Sequence, residues 1–63
     1  MTNDSMKEMS AAKGKWITTQ GEGMTGRELE LARALYEAHG DRYAVRQINE
    51  VLRARLLARI NAS

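Results

Sequence analysis

Long polar side chains recur along one face of the C-terminal segment. Arg42, Arg46, Asn49 and Arg53 follow one another at spacings of three or four residues. On a helix that turns about 100° per residue, this spacing places them on one stripe. Guanidinium groups make paired, charge-assisted hydrogen bonds to phosphate and carboxylate oxygens. The pattern predicts a surface that binds nucleic acid or an anionic partner, and we call these four residues the arginine stripe.

The positive charges are unevenly distributed. The formal net charge is +2, but residues 41–63 carry five arginines against Asp41 and Glu50. A basic C-terminal half indicates an anionic macromolecule as partner. Lys13, Lys15 and Trp16 form a second group of candidates, because an indole beside lysines can stack on a base or enter a partner's pocket. The alternative is that Trp16 anchors a core or an interface.

Residues suited to catalysis are sparse. His39 is the only histidine, there is no cysteine, and Gly21-Glu22-Gly23 lacks the ending of a phosphate-binding loop. The carboxylates are scattered without a paired acid and base. We therefore expect no enzyme activity, no metal site, no cofactor and no small-molecule substrate.

The length limits the size of the core. A chain of 63 residues buries only about 60% of its unfolded surface, so a partner or a second copy often completes such a domain. We expect a homodimer. No apolar run reaches about 18 residues, and residues 1–15 lack the apolar core of an export signal; with the initiator Met and the lack of cysteine, this predicts a complete cytoplasmic protein without a membrane span.

The predicted fold is mainly α: a helical hairpin or helix-turn-helix-like unit, with a short N-terminal strand or extended arm, completed by dimerisation. Residues 1–14 are expected to be a flexible arm and 15–63 a single domain. Aromatic and β-branched residues predict a strand or extended segment over 15–20. Thr25 and Glu28 form a capping box that begins a helix over 26–39. Gly40 is placed to end it, and Asp41 to cap a second helix over 42–60.

Apolar residues of the second helix fall on two faces. Val45, Ile48 and Leu52 are expected to pack on the first helix. Leu56, Leu57 and Ile60 lie on a side rotated by roughly 90–100°, which one partner helix cannot also cover. We predict that these three contact another chain as a dimer interface. The alternative is that the helix ends near Arg55 and its tail frays.

Two resemblances to known families are present. The run from Glu28 to Leu52, with a glycine between two helices and Val45-Arg46-Gln47-Ile48 opening the second, resembles helix-turn-helix regulators of the resolvase and phage-repressor type. It departs from them at Asn49 and Arg53, where those families place a small residue and a turn glycine. The order strand, helix, helix is similar to ribbon-helix-helix repressors, and this resemblance implies Lys15, Thr18 and Gln20 as readers of base edges.

Together these features predict a small basic transcription regulator that binds DNA through its arginine-bearing helix. The alternative is a small phage- or plasmid-type modulator that binds a host protein, such as a component of the transcription machinery.

Overall fold

Three helices make up the described part of the chain. The computed structural model describes residues 2–62, and side chains from residue 4 onward. The helices are α1 (Thr2–Thr19), α2 (Gly26–Ala38) and α3 (Arg42–Ala62). The mainly α fold class is confirmed, and residues 2–62 contain no strand.

The predicted strand at residues 15–20 is replaced by helix. Lys15 to Thr19 form the end of α1, and Gln20 begins the turn that follows. Ala12 and Trp16, four residues apart, are both buried, so helical spacing lets one face of α1 pack on its neighbours. The stabilisation from this packing outweighs the weak, context-dependent preference of Ile17, Thr18 and Thr19 for a strand. Of the predicted flexible arm, Thr2 to Gly14 also lie in α1, and Met1 lies outside the described residues.

The turn between α1 and α2 depends on a buried glycine. Gly21 has φ +93°, and a Cβ atom there would lie 2.9 Å from Cζ3 of Trp16. The same position is within 3.5 Å of Cδ2 of Leu29 and within 3.4 Å of Cγ1 of Val51. Only glycine combines this backbone conformation with such close neighbours. The turn thus brings all three helices together at one point.

The ends of α2 follow the predicted capping chemistry. The Thr25 hydroxyl accepts from the Glu28 N–H at 3.1 Å, and Glu28 Oε1 accepts from the Thr25 N–H at 2.8 Å, which confirms the capping box. At the other end Gly40 has φ +76°. Its N–H donates to the Glu37 carbonyl, and that of Asp41 to the Tyr36 carbonyl. This is the Schellman arrangement that satisfies the last carbonyls of a helix.

Helix α3 begins directly after this turn, because Asp41 Oδ1 accepts from the Ala44 N–H at 3.1 Å. Leu29 and Val51 both lie beside Gly21, and Arg33 reaches Asn49. Later residues of α2 therefore meet earlier residues of α3, as in an antiparallel pair. The core lies around α2, which contacts both other helices. Its buried members are Ala12, Trp16, Met24, Leu29, Ala32, Tyr36, Ala44 and Ile48.

Helix α3 extends beyond the core. It has 21 residues against 13 in α2, an excess of about 12 Å at about 1.5 Å per residue. Every residue from Arg53 to Ala62 is exposed. None of the helices described is long and apolar enough to cross a membrane.

Candidate nucleic-acid interface on helix α3

The arginine stripe lines a groove beside the turn between α2 and α3. The groove has a volume of about 640 Å³, and all four residues of the stripe contribute to it. The short connection through Gly40 and Asp41 places the end of α2 beside the first turns of α3, which forms one wall. The lining residues are Glu37, Gly40, Asp41, Arg42, Val45, Arg46, Asn49, Glu50 and Arg53.

Three arginines of α3 have no polar partner among the described residues. In the part of the chain whose side chains are described, the guanidinium groups of Arg42, Arg46 and Arg53 make no hydrogen bond or ion pair. All three residues are exposed. Their donors are available to an external acceptor.

Asn49 differs from its neighbours on the stripe. Its Oδ1 accepts a hydrogen bond of 2.7 Å from Nη1 of Arg33, and Arg33 also lies 4.0 Å from Glu30 Oε1. The side-chain carbonyl of Asn49 therefore joins α3 to α2, while its amide N–H groups make no hydrogen bond within the described residues.

Carboxylates share the groove with the arginines. Glu37, Asp41 and Glu50 belong to its lining, and the sequence prediction did not include them. Glu50 follows Arg46 by four residues and precedes Arg53 by three, the spacings at which helical ion pairs form. No such pair is present within residues 4–62. The lining is therefore mixed in charge, with three arginines and three carboxylates.

The second group of candidates has structural contacts instead. Trp16 is 5% exposed in the core, so its ring face is not available to a base. Nζ of Lys15 lies 3.1 Å from Glu28 Oε2, and Nζ of Lys13 lies 5.4 Å from the ring centroid of Tyr36. The structure thus separates Lys13, Lys15 and Trp16 from the arginine stripe and assigns them to the contact between α1 and α2.

Two pKa values in this contact are shifted. The hydrogen bond from the Thr25 backbone N–H, with that from Lys15, lowers the pKa of Glu28. Burial, with the nearby negative charge of Asp41, raises the pKa of Tyr36. The first shift favours the ionised form of Glu28 and the second the neutral form of Tyr36, which are the forms present near neutral pH. Within residues 4–62 no three acidic or histidine side chains are grouped as a metal site would need.

The predicted dimer residues form an exposed apolar patch. Leu56, Leu57 and Ile60 are 54%, 49% and 59% exposed, and we call them the apolar patch. On an ideal helix the patch and the arginine stripe are both centred roughly 150° from Ala44 and Ile48. They therefore follow one another along the same solvent face of α3. Dimerisation through this patch stays a prediction.

The extended helix explains why the apolar pattern of α3 shifts. Arg55 continues the side that carries Ile48, and its Nη2 donates to the Gly21 carbonyl at 3.0 Å. The buried side thus ends with Arg55 in contact with the α1–α2 turn. Helix α3 continues past it to Ala62 and does not end near Arg55.

Comparison of the chain with family models, curated proteins and solved structures gave no match.

Proposed function

We propose that the protein is a small transcription regulator that binds duplex DNA through the arginine stripe of α3. The observation that carries the proposal is the alignment of Arg42, Arg46 and Arg53 on one solvent face without a partner inside the described chain. Other cations are already engaged: Lys15 with Glu28, Arg27 with Glu8, and Arg55 with Gly21.

The geometry suits contacts to the DNA backbone. Arg42 and Arg53 are eleven residues apart, or about 16 Å along a helix axis. Duplex DNA carries one negative charge per about 1.7 Å of its axis, so several phosphates lie within the length of the stripe. The carboxylates of Glu37, Asp41 and Glu50 repel phosphate. Phosphates therefore stay outside the groove, where only the long arginine side chains contact them. Such contacts position a protein on DNA without reading its sequence.

The test measures affinity for a mixed-sequence duplex of about 25 base pairs across a salt series. Each phosphate contact contributes about 0.9 to the slope of log affinity against log salt. Replacing Arg42, Arg46 and Arg53 together by Gln is expected to flatten that slope by roughly 2 to 3 units. Helix content should be retained, because Gln is a good helix former.

The control is Lys7→Gln combined with Arg27→Gln, which removes two charges from α1 and α2. Arg27 is 76% exposed on its side chain, and its ion pair is an exposed one with Glu8, so its removal costs little stability. The control should keep the wild-type slope. Absence of DNA binding by the wild type, or equal flattening by the control, would contradict the proposal.

A second candidate function is supported by the apolar patch. Leu56, Leu57 and Ile60 continue the face of the arginine stripe, and exposed apolar side chains rimmed by charge are typical of protein contacts. In this role the protein is a modulator that binds a protein of the transcription machinery. The salt series separates the two, because an apolar protein contact weakens little with ionic strength. A cytoplasmic location stays a prediction in either role.

A further inference from the structure

The end of α3 presents apolar surface without support from the core. Beyond Arg55, residues 56–62 are all exposed. Leu56, Leu57 and Ile60 nevertheless share one side of this last part of the helix. Short helices without tertiary contacts are marginal in water. A ligand that covers the patch therefore stabilises the end of α3 as well as burying apolar area.

The charge around the patch is of one sign. Residues 51–62 include Arg53, Arg55 and Arg59 and no carboxylate. A second copy of this chain, which the sequence predicts as the cover, brings the same arginines to the contact. When two copies pair through the patch, each copy brings its Arg53 on the same face and no acidic residue from residues 51–62, and like charges in one interface oppose association.

DNA is a poor match for the same patch. Phosphates accept hydrogen bonds from arginines, but they do not bury Leu56, Leu57 and Ile60. The apolar surface of these residues stays in water unless an apolar partner covers it. The occupant must therefore combine carboxylates with an apolar stripe.

We propose that the apolar patch docks an acidic amphipathic helix of another protein. The spacing of the solvent face fits a helical partner: Arg42, Arg46, Asn49, Arg53, Leu56 and Ile60 alternate between steps of four and three residues. At this spacing the six side chains line one face of α3 along which a second helix can lie, with the apolar positions at Leu56 and Ile60. Apolar side chains of the partner cover Leu56 and Ile60, and its carboxylates face Arg53. The proposal rests on the second candidate function and shares Arg53 with the DNA-binding stripe, so its test is made without DNA.

The test uses the full chain and a fluorescein-labelled peptide of about three heptads, with Leu at the two seam positions and Glu at the flanking positions of each heptad. Fluorescence anisotropy gives the dissociation constant. Two further peptides serve as probes, one with Lys in place of every Glu and one with the acidic composition in scrambled order. The acidic amphipathic peptide is expected to bind at least tenfold more tightly than either.

Variants of the protein locate the contact. Leu56→Ser with Ile60→Ser is expected to weaken peptide binding at least tenfold, and Arg53→Gln severalfold. The matched control is Tyr43→Ser, because Tyr43 is 75% exposed on the same helix but outside the patch. It should leave the affinity unchanged. Leu57→Ser provides a milder second variant if the double variant loses helix content by circular dichroism.

Four results would overturn the proposal. They are absence of binding by the acidic peptide, equal binding by the basic or scrambled peptide, and unchanged affinity in the patch variants. The fourth is a wild type that sediments as a dimer and becomes a monomer on Leu56→Ser, which would assign the patch to a second copy. Since the readout uses no DNA, a failed salt series leaves this test intact.

Discussion

Nη2 of Arg55 donates a hydrogen bond of 3.0 Å to the carbonyl oxygen of Gly21. This contact joins α3 to the turn between α1 and α2, across 34 positions of the sequence. Trp16 and Val51 lie against the same glycine. One point of the fold thus holds the last core contact of α3, and the helix continues from there into solvent.

Replacing Arg55 by Ala is expected to destabilise the fold by about 1 to 2 kcal/mol, since a hydrogen bond to a charged group is lost and a partly buried carbonyl loses its partner. Urea denaturation gives the change in the free energy of unfolding. Arg53→Ala is the matched control, because Arg53 lies two residues away on the solvent face without a partner in the described chain. Equal losses in the two variants would refute a structural role for the Arg55–Gly21 contact.

Gly21→Ala is expected to cost about 1 to 3 kcal/mol, because it places a Cβ atom at positive φ and against Trp16. Gly14→Ala provides the contrast. Gly14 lies inside α1, and a Cβ atom there meets nothing within 4 Å. That substitution should stabilise the protein by about 0.5 to 1 kcal/mol through higher helix propensity. Thermal melts followed by circular dichroism compare them, and an unaffected Gly21→Ala protein would show that this turn tolerates a side chain.

The pH dependence of stability should include a contribution from Glu28. Its pKa lies below the ordinary value of 4.5, first because of the Thr25 backbone hydrogen bond and then because of Lys15. A carboxyl group whose pKa is lowered by folding stabilises the fold above its unfolded pKa, and this contribution is lost as the pH falls through the folded pKa. The wild type should therefore lose more melting temperature on acidification below about pH 4.5 than Glu28→Gln does.

Gln at position 28 can still serve in a capping box, so this variant removes the titration while it keeps the cap. Glu22→Gln is the control, because Glu22 is exposed in the turn and makes no side-chain hydrogen bond or ion pair within the described residues. It should retain the wild-type pH dependence. If the Glu28→Gln variant loses as much melting temperature on acidification as the wild type, the role given to this carboxylate is contradicted.

Glu50→Gln should strengthen DNA binding. Glu50 lines the groove with Arg46 and Arg53, and its removal relieves repulsion with the phosphates that these arginines approach. We expect a gain of a few fold at low salt that shrinks as salt is added, because exposed charges are screened. Glu8→Gln, on α1, is the control and should have no such effect. Weaker DNA binding by Glu50→Gln would show that the carboxylate takes part in the contact.

Local chemistry allowed α2 and the turn after it to be predicted. The capping box of Thr25 and Glu28, the left-handed Gly40 and the cap at Asp41 act over three or four residues, and neighbouring side chains decide them. The arginine stripe was predictable for the same reason, because the period of the helix alone aligns its members. The helical conformation at the end of α1 was not predictable from local chemistry. Trp16 and Ile17 are compatible with a strand, and only the packing of Ala12 and Trp16 on α2 selects helix.

The sequence by itself determined two helices, their caps and one cationic face on the second, since helical period and capping act within a few residues. The tertiary structure decided which cations are available. It placed Lys15 against Glu28 and Arg55 against Gly21, and it left Arg42, Arg46 and Arg53 in a groove shared with Glu37, Asp41 and Glu50. Residues 13 to 34 positions apart make these contacts, and no local pattern encodes which of them meet, because their proximity depends on how the three helices pack.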